Sequence, residues 1–204
     1  PSIWSAVYRR EFLNRNTIRF LPTPGAAFQD ASFTFKVFAL ADTAVYLHDS
    51  VLSYRQDNEG SSVNSPNKVH CVNDEYAEIH RWIVEDYAEL HSSQDVAKLL
   101  KFANIIKYDS YMWSYIRLNP KFYAEFLDRM AQEFHGALEA GEFELTDLKP
   151  WKRANLKAIV DDPQKWLAES SDFAGAGAMD RAKHYARVGG PGVVAAFVLD
   201  AIKK

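Results

Sequence analysis

Cysteine is nearly absent. Cys71 stands alone among 204 residues, so no internal disulfide can form, which fits a reducing compartment. Charge of either sign is not in excess: 24 Lys and Arg face 27 Asp and Glu, a formal net charge of −3. That balance gives no electrostatic footprint for a nucleic acid, so no nucleic-acid partner is expected. No apolar run approaches the length of a membrane span, and no signal peptide opens the chain. Six histidines, at 48, 70, 80, 91, 135 and 184, form no HExxH or other metal spacing, and most read as surface residues. A CxxC pair is impossible, and no Walker loop and no DxD triplet occur. The segment Gly189-Gly190-Pro191-Gly192 follows no strand and reads as a hinge, not a phosphate cradle. What is plentiful is core material, 48% hydrophobic and 14% aromatic residues, enough for one domain or two small ones.

The stretch Pro22–Phe33 organises what is there. Pro22 and Pro24 fix two backbone angles, and Gly25 permits a turn. After Asp30 the apolar residues Phe33, Val37, Leu40 and Ala41 fall at helical spacing, predicting a helix to about Asp42. Asp30 therefore stands near a helix N-terminus, where free N–H groups and the dipole favour a carboxylate. One reading makes it only an N-cap. The chain opens directly in a segment that reads as a helix, with Ser2 as its cap and Ile3, Ala6, Val7 and Leu13 on one face, ending at Asn14-Arg15-Asn16. Beginning so, at Pro1, it reads as a piece of a longer protein. Ile18–Phe20, Val45–Leu47 and Val51–Tyr54 read as strands.

From about Lys68 the character turns helical. Tyr76, Ile79, Ile83 and Tyr87 mark one amphipathic helix, and Ser93 reads as the cap of another. Asn119-Pro120 is a cap-and-proline start, Phe122, Phe126, Met130, Phe134 and Leu138 form a core stripe, and Gly141 is a stop. Shorter helices follow over 151–160, where Asp162 caps the next, and 163–170. The expected architecture is therefore α+β, predominantly α-helical, with a mixed region over 1–67 and a helical region over 68–204.

A second polar feature leaves the last predicted strand: Tyr54-Arg55-Gln56-Asp57-Asn58-Glu59-Gly60-Ser61-Ser62. An Arg, amides, hydroxyls and a Gly together suit an anionic ligand such as a pyrophosphate, although a solvated loop has the same composition.

The residues Pro1–Leu13, Thr23–Phe33 and Tyr54–Asn64, in that order and spacing, resemble the second half of the catalytic domain of family 2 glycosyltransferases. These are inverting GT-A enzymes that use nucleotide-sugar donors, and the likeness is to the bacterial branch that builds cell-surface polysaccharides. It covers about the first third of the chain. The resemblance implies an acceptor-side half of a GT-A-like domain, made of short strands and helices. Asp30 would be the catalytic base. Gln29 would replace the usual Glu beside it, keeping shape and dropping a charge. Arg55, Asn58, Ser61 and Ser62 would face the donor diphosphate, with Asn58 near a position where relatives often carry a His. Trp4 would pack on an acceptor sugar, and its other reading is a half-buried anchor. The family's DxD, which holds a divalent Mn or Mg ion, is not in this chain, so the metal is expected in the longer parent. The parent would transfer a hexose to a glycan or lipid-linked acceptor, in the cytoplasm or at the inner face of the membrane as a peripheral protein. The isolated chain would be inactive. The alternative reading is a helical protein-interaction module without catalysis.

Overall fold

The computed structural model describes residues 3–22, 28–49, 52–53, 68–170 and 173–202. Every regular element among them is helical, so the fold is all-α, not the expected α+β. Ile18–Phe20 and Val45–Leu47 carry the β-branched and aromatic residues of strands. A strand, however, exists only where a neighbour completes its ladder, and no strand forms among the described residues. Ile18 instead buries its side chain beside Phe33 and Val37. Val45 and Tyr46 are 87% and 82% exposed. Leu52 and Ser53 have no regular structure, and Val51 and Tyr54 lie outside the described residues.

The chain divides into two compact units, residues 1–91 and 92–204. The third helix thus belongs with the first unit, although composition changes at Lys68. In that unit the expected opening helix is broken into a 3₁₀ turn, Ile3–Ser5, and α1, Arg10–Arg15. Val7, expected on the inner face, lies fully exposed between them. Helix α2, Asp30–Leu40, packs on α3, Cys71–Trp82. It buries Phe33, Phe35 and Val37, as α3 buries Val72, Tyr76 and Ile79; Phe35 meets Trp82 of α3 edge-on at 6.3 Å, and Phe33 and Val37 join the small cluster around Ile18. Helix α3 runs on into one π-helical stretch, Ile83–Tyr87, where Ala88 N–H reaches back to Ile83 at 3.1 Å.

The second unit holds α4, Ser93–Tyr115, α5, Tyr123–Glu139, α6, Pro150–Asp161, α7, Pro163–Glu169, and α8, Ala178–Ile202. The cap of α4 is Ser92, one residue before the expected one. Its hydroxyl accepts the Asp95 N–H at 3.2 Å. Asn119 caps the turn into α5 by accepting the Lys121 N–H, and Gly141 ends α5 at φ 67°, where glycine has no Cβ penalty. Asp162 caps α7 through the Lys165 N–H at 2.8 Å. Phe126, Met130 and Phe134 are fully buried on α5, and two tyrosines of α4, Tyr111 and Tyr115, meet the phenylalanines. Helix α8 breaks at Gly190, φ 75° and ψ −172°, immediately before Pro191. Just before that break, a Cβ on Gly189 would stand 2.5 Å from Val193 Cγ2 and 2.9 Å from Ala154 Cβ. The missing side chain lets α8 close on α6.

Candidate functional site

The site expected from the sequence begins where α2 begins. Asp30 is the first helical residue, and Gln29 occupies the N-cap position without a capping side-chain bond. Asp30 is thus not the cap itself; it lies in the first turn, where the helix dipole favours its charge. Phe28, just before, sits at φ 59°, a left-handed conformation that a side chain disfavours. Its carbonyl accepts the Ala31 N–H at 2.8 Å and pins the turn.

Two groups feel the Asp30 carboxylate. Burial, and then the Asp30 charge, push the Tyr8 phenol upward. The same pair of causes acts on Glu75 of α3, a fully buried carboxyl whose pKa is raised mainly by desolvation. Glu75 Oε2 accepts the Ser32 N–H at 2.9 Å. A side chain of α3 therefore satisfies one of the orphan donors at the start of α2. Glu75 Oε1 and Ser32 Oγ lie buried beside this bond without hydrogen-bond partners among the described residues. One turn on, Lys36 bonds Glu78 at 2.5 Å, and Arg81 grips the same carboxylate at 2.8 and 2.9 Å. Two cations on one carboxylate hold Glu78 below the usual range, with Arg81 the larger influence.

Trp4 is joined to this region through Tyr8. The Tyr8 hydroxyl donates to the Ile3 carbonyl at 3.3 Å, and the Tyr8 ring meets Phe33 of α2 edge-on at 5.4 Å. Phe20 stacks on the other side of that contact, 4.3 Å from Phe33. Trp4 remains 45% exposed, compatible with either of its two readings. Arg55, Asn58, Ser61 and Ser62 lie outside the described residues. The structure thus brings Asp30, Gln29 and the Trp4 turn into one unit and adds Tyr8 and Glu75. Sequence reasoning passed over Glu75, although it lies on the face that Val72, Tyr76 and Ile79 make apolar, an unusual place for a carboxylate.

No group of three His, Cys, Asp or Glu side chains among the described residues could hold a metal ion. Desolvation raises the pKa of Glu75, the acid nearest in influence to Asp30, and so disfavours the charged form that Mn or Mg would need. The described residues do not fit the expected metal, and no chemical step is routed through one.

A second cluster lies inside the other unit. Asn155 Oδ1 accepts the Trp166 indole N–H at 3.0 Å, which fixes that atom as oxygen. His184 Nε2, 2.7 Å from the same oxygen, must then carry a proton. That leaves His184 Nδ1 as an acceptor for the Ser170 hydroxyl at 3.0 Å. Asn155 Nδ2 donates to the Tyr108 hydroxyl at 3.0 Å and meets Met112 Sδ at 3.8 Å. Burial, helped by the Arg187 charge, lowers the His184 pKa from 6.5 to about 4. The order Ser170, His184, Asn155 has the atoms of a proton relay. All three are buried, and the groove between α6 and α8 is lined by other residues, including Arg153, Lys157 and Val193. The cluster reads as a satisfied polar core. His48, His80, His91 and His135 are exposed, as expected of most histidines here, and His184 is the buried exception.

In comparisons with known proteins, the chain matches no family model, no curated protein and no solved structure.

Proposed function

We propose that this chain is part of an inverting sugar transferase of the family 2 type, contributing the catalytic base and acceptor side. The observation that carries the reading is the place of Asp30. It is half-buried in the first turn of α2, after a left-handed residue, and an aromatic base of Tyr8, Phe20 and Phe33 ties the same turn to Trp4. In the reaction, the Asp30 carboxylate takes the proton of an acceptor hydroxyl as that oxygen attacks the anomeric carbon. The donor's diphosphate leaves from the opposite face, inverting the configuration, and Arg55 steadies its charge. Trp4 offers its exposed face to the acceptor sugar. The acceptor is a glycan or a lipid-linked glycan. A lipid-linked acceptor places the work in the cytoplasm at the inner face of the membrane. Compatible with that, one helix, α8, is long and apolar enough to cross a membrane by length and composition, contrary to the sequence-based expectation. Its apolarity is spread through Gly and Ala and interrupted by charges, so no uninterrupted run announces it.

Asp30→Asn in the longer parent tests the role. Asn keeps the shape and loses the basicity. A loss of about 10²–10⁴-fold in transfer is expected, the usual worth of a positioned base, with donor binding retained. Transfer within a few-fold of wild type would reduce Asp30 to a structural residue. The rival, a helical interaction module, draws on the self-contained core of residues 92–204. It predicts that the parent transfers sugar equally well without that unit.

A further inference from the structure

Helix α6 carries two neighbouring stripes that face one groove. Pro150, Ala154 and Ala158 follow one another at four-residue spacing and are small. Arg153, Lys157 and Asp161 form the charged stripe beside them. Both stripes line a groove of about 370 Å³ between α6 and α8, inside the second unit. Val188 and Val193 of α8 also line it, one on each side of the break at Gly190. The floor is therefore apolar and the charge runs along one edge. The volume falls within the roughly 300–1,000 Å³ of small-molecule clefts, which pair apolar walls with a few polar groups.

That edge has one cation without an answering acid. Lys149, Arg153 and Lys157 stand four residues apart, a spacing at which like charges repel. The outer two are neutralised, Lys149 by Asp200 and Lys157 by Asp161 at 2.5 Å. The guanidinium of Arg153, between them and half-buried, has no hydrogen-bond or ion-pair partner among the described residues. A guanidinium is a planar fork of donors that fits the two oxygens of a carboxylate. An apolar floor alone would suit any hydrophobic occupant. The uncommitted charge at its edge selects an anionic one, and an anion there would relieve the repulsion along α6.

We propose that the α6–α8 groove binds a single-chain amphiphile with an anionic head, of the fatty-acid class. The tail lies along Ala154 and Ala158 beside Val188 and Val193, and the carboxylate accepts hydrogen bonds from Arg153. The inference goes beyond the sugar-transfer reading and does not rest on it. Its residues lie in the other unit from Asp30, and its assay contains no nucleotide-sugar.

The test is isothermal titration of the chain with dodecanoate, kept below its micellar concentration. One-to-one binding with a Kd of about 10–100 μM is expected, the scale of a small apolar ligand with one charge-assisted contact. Arg153→Gln should weaken it about 10–100-fold, the worth of a hydrogen bond between charged groups. Ala158→Leu fills the groove from its floor and should weaken it by about tenfold or more. Dodecyltrimethylammonium, the same tail with a cationic head, should bind about tenfold more weakly than dodecanoate or worse. Circular dichroism and the denaturation midpoint should not change. Arg153→Gln removes no bond within the fold, so it decides the matter if Ala158→Leu fails to fold. Absence of saturable binding by the folded wild type would overturn the proposal. So would Arg153→Gln binding within about twofold of wild type, or the cationic amphiphile binding within about twofold of dodecanoate. Dodecyl phosphate binding about tenfold tighter would overturn the carboxylate assignment. A short apolar peptide that binds about tenfold tighter through its C-terminal carboxylate would give the groove to a protein tail instead. A dimer in light scattering that Arg153→Gln dissociates, without dodecanoate binding, would give it to a second copy.

Discussion

Acid should unfold the second unit through one residue, and the size of the effect follows from its burial. In the native state His184 titrates at about 4, against 6.5 for the free side chain. Its folded pKa is depressed, so the unfolded chain binds the proton first. The stability it contributes is complete above pH 6.5 and is lost as pH falls toward 4. Working the linkage through these two values gives a loss of about 2 kcal/mol by pH 5 and about 3 kcal/mol by pH 4. That is a large share of the 5–15 kcal/mol typical of a domain. Carboxylates enter later. Glu133 is held low by Lys107, Tyr111 and Arg129, which together outweigh its burial, and it weakens the fold only as pH falls below the ordinary carboxylate range. The interval from pH 6.5 to 5 therefore belongs to His184. Urea denaturation followed by tryptophan fluorescence, at half-unit steps of pH, measures it. His184→Gln, which retains donor and acceptor groups, should start lower at pH 7.5 and stay flat over that interval. A wild-type profile parallel to that of His184→Gln between pH 6.5 and 5 would refute the reasoning, as would a His184 ring resonance that titrates near 6.5.

Other outcomes can be stated briefly. Phe126→Ala, at a fully buried site between Tyr111 and Tyr115, should cost roughly 3–5 kcal/mol in chemical denaturation. A cost below about 1 kcal/mol would place the stripe at the surface. Glu75→Ala should destabilise the first unit by about 1–3 kcal/mol, because the Ser32 N–H is left buried and unpaired. Glu75→Gln keeps an acceptor without the buried charge. Because the raised pKa of Glu75 makes wild type lose stability as pH rises through it, the Gln variant should match or exceed wild type at pH 8. Hydrogen exchange of amides in α2 and α3 reads both.

The helices were legible and the strands were not, for one physical reason. A helix closes its hydrogen bonds within its own segment, so Asn119-Pro120, the Phe126–Met130–Phe134 stripe and Gly141 mark α5 locally. A strand needs a partner elsewhere in the chain, and Val45–Leu47 carry the propensity without one among the described residues. The start of α2 was read within a residue because Asp30 and the apolar spacing after it are local. Its end came two residues early, at Leu40, since Ala41 turns extended at ψ 119°. Trp4, Tyr8 and Glu75 were harder, because their meeting at α2 depends on tertiary contacts over as many as 43 positions.

The two buried polar groupings differ in what they constrain. The Asn155 cluster is complete: both hydrogens and the oxygen of the amide have partners, and the imidazole is used at both nitrogens. Such a network fixes α4, α6, α7 and α8 in one register, and a one-residue slip of any helix would leave several polar groups dry. The Glu75 site is less complete: among the described residues Oε1 and Ser32 Oγ are unmatched beside a single bond to a backbone N–H. Desolvation first, and then the nearby Asp30 carboxylate, raise the Glu75 pKa. A full polar network needs no ligand to account for it. An acid held near a second carboxylate, at a helix start and with unmet hydrogen-bonding capacity, is the arrangement in which a bound hydroxyl would find a use. That asymmetry is why the proposed chemistry is assigned to the start of α2 and not to the Ser170–His184–Asn155 relay, despite the relay's closer likeness to a catalytic constellation.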